Sequence, residues 1–422
     1  MGLPWGLIVT VPSIQRRQPE RDGDHIPRPS PNGITSCFLT GARPIPNIVN
    51  AALASPAIQG SRAPQTTNPL WSWLLPVAAV ALLLVGLLLP VGPILATLCA
   101  AALIGAVISA VHHAEVVAHK LGEPFGTLVL TISITVIEVG LIVTLMLGGE
   151  ADKAALPRDT IFAAIMITCN AVLGLCVLIG GLRYHEQAFN VLGANSALAV
   201  LIALTTLSLV LPTFTSSSAG PTYTTAQLIF AALTSLVLWS SFLFIQTIHH
   251  RDYFLPVHNT ADEDSHAPPP TLRLAWTSFA LLLVTLGAVV GLAKVVAHGF
   301  EAALATAGAP KEVMGIVIAV LVLLPETWAA ARAAHANRLQ SSLNLALGSA
   351  LSSIGLTIPA VAVTSTVVGL PLMLGLDSKE LVLLVLTFLV ASITLVSGRT
   401  HALLGAVHLV IFAAFLFLAF VP

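Results

Sequence analysis

Charged residues are scarce in this sequence. Asp, Glu, Lys and Arg make up 9% of the 422 residues, whereas they make up about a quarter of an average soluble domain. Hydrophobic residues reach 56%, so the composition excludes an ordinary soluble protein and indicates a polytopic membrane protein. The formal net charge is −1, and without a basic stripe we expect no nucleic-acid partner.

Cysteine is also rare. The four cysteines, Cys37, Cys99, Cys169 and Cys176, have neither the spacing of a disulfide scaffold nor that of a thiolate metal site. Three of them lie in apolar runs, where cysteine behaves as a small core residue. We therefore predict no bound cofactor.

Residues 1–69 lack an apolar run of membrane-spanning length. The segment is instead rich in Pro, Arg, Ser, Asn and Gly, a composition that cannot bury enough apolar surface to order the chain. We interpret it as a disordered tail or as translated sequence upstream of the true start, and we assign it no function.

Long apolar runs dominate the rest of the chain. A helix needs about 20 apolar residues to cross the hydrocarbon core of a bilayer, and helices satisfy their own backbone hydrogen bonds there. The predicted fold is therefore all-α and polytopic. We count eleven runs, at about residues 71–89, 92–112, 124–147, 159–181, 194–213, 225–247, 271–293, 311–332, 341–366, 379–397 and 401–421.

A polar linker at residues 249–270, with the acidic cluster Asp262, Glu263 and Asp264, divides these runs. A leading helix (70–91) and five spans (92–248) precede the linker, and five more spans (271–422) follow it. Repeats with an odd number of helices must have opposite orientations, as in many secondary transporters. In each group of five, the second span carries a deep glutamate and the third span is rich in small and polar residues. A Val-Ala-His turn precedes the second span of each group (117–119 and 296–298).

Two carboxylates lie unusually deep in the apolar runs. Of the 19 acidic residues, only Glu138, in the third run, and Glu326, in the eighth, lie near the middle of a run. A charge at membrane depth is expensive and usually marks a substrate, ion or proton pathway. Our hypothesis is that the protein carries cations across a membrane and holds them at these two residues.

Hydroxyl groups lead along one helical face to Glu138. Thr127, Thr131 and Thr135 precede it at a spacing that places all four residues on that face. We predict Thr131 and Thr135 as supporting cation ligands. The alternative is that each threonine simply bonds the carbonyl four residues earlier.

The surroundings of Glu326 and the third spans add further oxygen atoms. Pro325 lacks an N–H and clashes with the carbonyl of Leu321, so we predict a helix break that frees this carbonyl; an ordinary packing kink is the alternative. The remaining predicted ligands are small or polar residues of the third spans, which also suit close helix packing. They are Asn170, Gly348, Ser349, Ser352 and Ser353.

Such a set of oxygen atoms suits calcium, which accepts about 6–8 oxygen ligands in flexible geometry. Desolvation disfavours the charged form of a carboxyl group, whereas a bound cation favours it. Protons and the cation therefore compete for the same oxygens, which is the minimum requirement for exchange. His119 and Glu123 lie at a membrane interface, as a proton access route or merely as part of a solvated cluster.

Residues 70–422 resemble the bacterial calcium/proton antiporters of the Cha type, in the calcium/cation antiporter superfamily. The resemblance rests on Ile137-Glu-Val139, Arg158-Asp-Thr160, Gly180-Gly-Leu-Arg183, Pro325-Glu326, and the stretches 119–126 and 337–359. It implies one leading helix with two inverted five-helix repeats, location in a bacterial inner membrane, and alternate binding of cation and protons at Glu138 and Glu326. The wider superfamily has a Gly-Asn pair before each glutamate, where this chain has Ile134-Thr135 and Val322-Leu323.

The predicted function is secondary exchange of calcium, or of sodium or potassium, for protons by alternating access, without enzymatic activity. The alternatives are a sodium/calcium exchanger, a cation channel and an intramembrane carboxylate enzyme. Lys and Arg number seven on one side and five on the other when the tail is left out. This bias predicts a cytoplasmic N-terminus and an external C-terminus.

Overall fold

Membrane-spanning helices make up most of the structure, a computed structural model that describes residues 68–122, 125–147, 154–255, 270–306, 308, 310, 312–370 and 372–421. Within these residues, eleven helical spans are long and apolar enough to cross a membrane. The predicted number of transmembrane helices is thus confirmed. Most of the tail, the acidic cluster at residues 262–264, and Glu123 lie outside the described residues.

The first six spans contain several changes of helix type. Their elements are α1 (Leu70–Leu88), α2 (Pro93–Leu121), α3 (Phe125–Leu147), α4 (Leu156–Met166) leading through a π-helical turn (Ile167–Val172) into α5 (Leu173–Tyr184), α6 (Val191–Thr205) leading through a second π turn into α7 (Leu211–Phe214), and α8 (Thr225–Phe244), which ends in a third π turn (Ile245–His249). A short 3-10 helix, Arg251–Phe254, follows α8.

The last five spans are single helices. They are α9 (Leu272–Thr306), α10 (Glu312–His335), α11 (Leu339–Val368), α12 (Ser378–Val396) and α13 (Ala402–Phe420). Two-residue strands, β1 (Gln187–Ala188) and β2 (Arg399–Thr400), pair antiparallel. Because consecutive spans alternate in direction, α1 begins on one face of the bundle, here called the N-terminal face, and α13 ends on the other, the C-terminal face.

Capping residues define several of the helix ends. The Asn190 side chain accepts a hydrogen bond from the N–H of Leu192 at 3.0 Å at the start of α6. Thr224 with Gln227, and Asp377 with Glu380, form capping boxes at the starts of α8 and α12. Gly122 and Gly369 take positive φ angles of 68° and 73°, which end α2 and α11 because glycine adopts this conformation without steric cost.

Two helices extend beyond the predicted spans. The second run was expected to end at residue 112 and the seventh at residue 293, but α2 continues to Leu121 and α9 to Thr306. The Val-Ala-His segments predicted as turns are therefore helical. In α2 no glycine or proline occurs between the end of the apolar run and Gly122, so polar residues continue the helix at the membrane surface.

The helix break predicted at Pro325 is not observed, because α10 runs through this residue from Glu312 to His335. A proline removes only its own N–H group, and the turns on either side retain their hydrogen bonds. Leu321, whose carbonyl loses its donor, packs against an apolar cluster formed mainly by α2, α3 and α9. The prediction of a broken helix with the Leu321 carbonyl freed for an ion is therefore wrong, because the helix is continuous here.

The packing of the helices repeats across the two halves of the chain. In the centre of the bundle, α11 packs against α3 and α8, while the α4–α5 span packs against α10 and α13. The two groups of helices correspond to each other in the two five-helix repeats, because each consists of a third span with the second and fifth spans that pack against it. The α4–α5 span is the most enclosed, with 83% of its most apolar window buried, against 17% for α1. The repeat boundaries themselves remain predictions.

Candidate functional site

Glu138 lies in the middle of α3 and is 3% exposed. Its Oε2 atom accepts a hydrogen bond of 2.8 Å from the hydroxyl of Ser353 on α11. Its Oε1 atom is buried and has no hydrogen-bond partner among the described residues. The neighbouring residues Ile137 and Leu141 pack into the apolar cluster with α2 and α9, which leaves the carboxylate on the side of α3 that contacts α11.

Glu326 approaches the same region from α10. Val322, one turn before it, and Ala330, one turn after it, are buried in apolar clusters that fix this helix. The Oε2 atom of Glu326 is also buried without a hydrogen-bond partner among the described residues. The two glutamates are near enough for a charge on Glu138 to repel one on Glu326. A cation between them would remove this repulsion.

Both glutamates line a cavity of about 280 Å³. The cavity begins at the N-terminal face, where it is lined by Arg251, Phe254 and Leu255, and it extends between α3, α8 and α11 to Glu138 and Glu326. This volume is enough for several water molecules, since one water occupies about 30 Å³ in the liquid. The structure therefore connects the two carboxylates to the N-terminal face.

Six of the seven predicted supporting ligands line this cavity: Thr131, Thr135, Gly348, Ser349, Ser352 and Ser353. Thr135 donates its hydroxyl to the carbonyl of Thr131 at 3.0 Å, so the local bonding given as an alternative in the sequence occurs here. Ser352 donates to the Gly348 carbonyl at 2.9 Å and accepts from the Trp239 indole at 3.3 Å. Their hydroxyl oxygens keep lone pairs for an ion.

Asn170, the seventh predicted ligand, does not line the cavity. It lies in the π turn between α4 and α5, donates to the Thr387 hydroxyl at 2.9 Å, and has its carbonyl oxygen 3.2 Å from Nδ1 of His408. Both Asn170 and His408 are 0% exposed. A buried amide must satisfy both its donors and its acceptor, and the partners are Thr387 of α12, His408 of α13 and the Met166 sulfur at the end of α4. Asn170 therefore holds helices together at this point.

The predicted proton access route is not connected to the cavity by the described residues. His119 is exposed in the last turn of α2, and Glu123 lies outside the described residues. The side chain of Thr127, the first threonine of the predicted face, also lies outside them. The assignment of His119 and Glu123 to proton access stays a prediction.

An apolar cluster separates Glu138 from the C-terminal face. Ile142, one turn beyond Glu138, packs with Met146 and with Val361 of α11, and all three are no more than 3% exposed. Leu370 and Leu372 pack against this cluster. A hydrated ion loses its water shell on entering such a layer, which is costly without replacement ligands. Within the part of the chain that the structure describes, the site is thus open towards the N-terminal face and closed towards the C-terminal face.

Several residues that line the cavity were not among the predicted ligands. They are Trp239, Gln246 and Thr247, from α8 and its π turn, whereas Asn344 of α11, which also lines the cavity, lies on the polar face that the sequence also assigns to Gly348 and Ser352. Asn344 donates to the Phe254 carbonyl at 2.7 Å. The signal in the sequence was the polar pair Gln246-Thr247 at the end of the sixth apolar run, one span before the linker. It is a weak signal because polar residues are common at helix ends.

The donor set limits the chemistry of the site. Among the described residues, no group of three or more His, Cys, Asp or Glu side chains is placed to hold a metal ion. An ion at the two glutamates would therefore combine carboxylate oxygens with hydroxyl and backbone oxygens. Such a mixed set suits Ca²⁺ or a monovalent cation and is unsuitable for a soft metal.

Comparisons with known proteins show the family to which the chain is similar. The family model described as sodium/calcium exchanger protein matches residues 91–248 and 277–421. The chain is 45% identical over 360 residues to a putative ionic transporter, y4hA, of Sinorhizobium fredii, covering 84% of this chain and 97% of that protein. It is 35% identical over 333 residues to the sodium-potassium/proton antiporter ChaA of Escherichia coli, covering 78% and 90%.

A more distant relative is a Ca²⁺/H⁺ antiporter of Aphanothece halophytica, 26% identical over 285 residues, covering 63% of this chain and 75% of that protein. Among solved structures, native YfkE superimposes with a TM-score of 0.63 at 18% identity, covering 83% of this chain and all of that chain. The H⁺/Ca²⁺ exchanger CAX gives a TM-score of 0.60 at 14% identity, covering 82% and 88%. These structural similarities concern the fold.

Proposed function

Because the chain belongs to the sodium/calcium exchanger protein family, we propose that Glu138 and Glu326 bind a cation and protons in turn as this integral membrane protein exchanges one for the other. The observation that carries the proposal is a pair of buried carboxylate oxygens at the inner end of the cavity, Oε1 of Glu138 and Oε2 of Glu326, which have no hydrogen-bond partners among the described residues. A buried polar atom without a partner is costly, and a proton or a cation supplies the missing interaction.

Competition between the two ligands supplies the coupling. With no cation present, protonation removes both the desolvation cost and the mutual repulsion of the carboxylates. A cation entering from the N-terminal face replaces these protons, and Ser353 keeps Glu138 oriented towards the cavity by its 2.8 Å hydrogen bond. Two protons replaced by one divalent ion would make the exchange electrically neutral.

We propose Ca²⁺ as a substrate, with Na⁺ and K⁺ as second candidates. The two carboxylates and the serine hydroxyls of α11 support Ca²⁺, which prefers many oxygen ligands. The monovalent ions are supported by the relative with 35% identity, which is named as a sodium-potassium/proton antiporter. We further propose that the N-terminal face is cytoplasmic, from the bias of Lys and Arg. The bacterial relatives with 45% and 35% identity, one named as a transporter and the other as an antiporter, support our proposal that the membrane is the bacterial inner membrane.

The test is a transport assay in sealed vesicles with an imposed pH gradient. Ca²⁺, Na⁺ and K⁺ are supplied in parallel to the wild type, Glu138→Gln and Glu326→Gln, and dissipation of the gradient is measured. We expect the wild type to respond to at least one cation and both variants to give no response while inserting normally. Full exchange by either variant would remove its glutamate from the proposed site.

A second measurement separates the competing readings of the function. A sodium/calcium exchanger would move Ca²⁺ in response to a sodium gradient at constant pH, and a channel would give an ohmic current without proton movement. For a 2:1 exchange of protons for Ca²⁺, we expect no net current in voltage-clamped vesicles. A steady current during Ca²⁺ exchange would contradict that stoichiometry.

A further inference from the structure

A second and much smaller cavity lies at the C-terminal face. Its volume is about 20 Å³, and residues of α4, α10, α12 and α13 line it, among them Asp159, Glu312, Ile316 and Glu380. The larger cavity lies between the first halves of α3 and α11 and the end of α8. In the two inverted repeats, α3 corresponds to α10, α11 corresponds to the α4–α5 span, and α8 corresponds to α13. The small cavity therefore occupies the position equivalent to the large one, on the opposite face.

Close helix contact keeps the small cavity shut. A Cβ atom on Gly315 of α10 would lie 2.8 Å from the backbone carbon of Asp159 and from the backbone nitrogen of Thr160, both on α4. By contrast, a Cβ atom on Gly348, in the large cavity, would have no neighbour within 4 Å. The two cavities, which lie at equivalent places in the repeats, thus differ: the small one is closed and the large one is open.

Arg158 joins α4 to the segment before α12 at the closed position. Its Nε atom lies 2.8 Å from Oδ1 of Asp159, its neighbour in α4, which holds the guanidinium in place, and both side chains are less than a tenth exposed. The guanidinium also donates to the Gly375 carbonyl at 3.2 Å and lies 3.6 Å from the carboxylate of Asp377. Met373 in the same segment donates its N–H to the Ala154 carbonyl at 3.0 Å. Arg158 therefore connects the two repeats.

Several carboxylates surround the single guanidinium of Arg158. The carboxylates of Asp159, Glu380 and Asp377 all attract Arg158, and Glu312 lies close enough to repel Asp159. A charged group that loses its partner in such a buried place is strongly destabilised there. Breaking the contact with Arg158 would therefore favour a state in which these carboxylates reach water.

We propose that Arg158 and Asp159 are positioning residues that form the gate at the C-terminal face. With Asp159 holding Arg158 on Gly375 and Asp377, the segment before α12 stays against α4 and the small cavity is closed. When these contacts break, the cavity opens, and its wall, which carries three carboxylates and Lys379, becomes the route by which a cation passes between Glu138 and Glu326 and the C-terminal face. This inference rests on the proposed function for its role in exchange, whereas its closed geometry can be tested without transport.

The test measures accessibility of a cysteine placed in the closed cavity. Ile316→Cys is introduced into a chain whose four native cysteines are replaced by alanine, and a thiol reagent that cannot cross the membrane is added to sealed vesicles. Exposed loop positions report each side, Asp252→Cys for the N-terminal face and Ser216→Cys for the C-terminal face. We expect slow reaction of Ile316→Cys when Asp159 is intact.

Asp159→Asn is then added to this background. We expect labelling from the C-terminal face to rise about tenfold, as a shift of a two-state equilibrium towards the open state, and Asp159→Glu to restore slow labelling. Asp377→Asn is the second variant in case the first does not fold, because its side chain is 58% exposed; a smaller rise is expected. Glu186→Gln, which removes an exposed ion pair of 3.8 Å with Arg399 on the N-terminal face, is the matched control.

An unchanged labelling rate in folded Asp159→Asn and Asp377→Asn proteins would overturn the gate. The same would follow if Ile316→Cys reacted only from the N-terminal face, because the small cavity would then not lead to the C-terminal face. Absence of cation/proton exchange by the wild-type chain, together with the expected rise in labelling of the Asp159→Asn protein, would instead count against the proposed function and leave the gate in place.

Discussion

The two cavities of this protein occupy equivalent positions in the two repeats, yet they differ more than tenfold in volume, about 280 Å³ against about 20 Å³. The large one reaches two carboxylates, each with an oxygen atom that has no hydrogen-bond partner among the described residues, and its wall on α11 includes Gly348 and three serines. In the small one, Phe162 of α4 and Phe415 of α13 line the wall, and their rings pack 5.6 Å apart. On the wall that the third span of each repeat forms, Phe162 of α4 thus fills one position, whereas glycine and serine of α11 leave the other open.

This difference separates what the fold determines from what the side chains determine. Both repeats place a third span beside the deep glutamate of the other repeat. Among the described residues of the two third spans, Ser353 of α11 alone donates a hydroxyl to a deep glutamate, Glu138. The amide of Asn170 in the first repeat is instead bound by α12 and α13. The backbone arrangement is therefore symmetric, as alternating access requires. The side chains do not follow this symmetry, and the difference between them creates one polar site.

The largest expected effect is a difference in exchange rate between variants of the carboxylates in the large cavity and a variant of a carboxylate in the small one. Glu138→Gln or Glu326→Gln should reduce exchange by more than about 100-fold, since even an outer partner of a metal ligand contributes about 10–100-fold in affinity. Glu312→Gln, in the first turn of α10 beside the small cavity, should reduce it by less than about fivefold, the size of a charge effect at a helix end. The measurement is cation-induced proton flux in vesicles. Equal losses in all three variants would remove the distinction.

Packing at the closed position is the second point of comparison. Gly315→Ala should lower the free energy of unfolding by about 1–3 kcal/mol, because the added methyl group meets backbone atoms of α4 at 2.8 Å. Gly348→Ala meets open space and should leave stability unchanged or raise it by up to about 1 kcal/mol through helix propensity. Thermal unfolding in detergent measures both. Equal stability of the two variants would show that α10 and α4 are not tightly packed.

A smaller effect is expected from the hydroxyl that orients Glu138. Ser353→Ala removes the 2.8 Å hydrogen bond to this carboxylate and should raise the KM for the cation about fivefold, since hydrogen bonds in membrane proteins contribute about 0.6–1.7 kcal/mol. Ser342→Ala is the matched control: its hydroxyl is equally buried on α11 but donates to the Ala330 carbonyl at 2.7 Å. An unchanged KM in Ser353→Ala would exclude a role in binding.

The smallest effect concerns the wall of the large cavity. Trp239→Phe keeps the aromatic ring but removes the N–H donor that lies 3.3 Å from the Ser352 hydroxyl. This bond is long and only partly buried, so exchange should change by no more than about twofold. Initial rates at saturating and limiting cation concentrations measure it. A loss above tenfold would mean that Ser352 must be held in place to bind the ion.

The number of spans and the two deep glutamates were predictable from the sequence because both depend on properties of single residues. A run of about 20 apolar residues has few alternatives to a membrane helix, and a carboxylate within it stands out. The ends of α2 and α9 were not predictable in the same way. Polar residues such as His112, His113 and Lys294 can continue a helix at the membrane surface as well as end it.

The partners of the site residues required the structure. Asn170 was predicted as a ligand from its polarity at membrane depth, yet the bonds that satisfy it come from Thr387 and His408, more than 200 residues later. The contribution of α8 to the cavity is equally long-range, through contacts with α11. A local pattern identifies a polar group in the membrane, but only the packing of distant helices decides whether that group faces an ion.

The most direct test of the central claim is proton release on cation binding. Purified protein in weakly buffered detergent is mixed with Ca²⁺, Na⁺ or K⁺, and the pH change is recorded with a dye. We predict proton release from the wild type with at least one cation, and none from Glu138→Gln combined with Glu326→Gln. Cation binding by the wild type without proton release, or undiminished release from the double variant, would contradict competition for these two carboxylates.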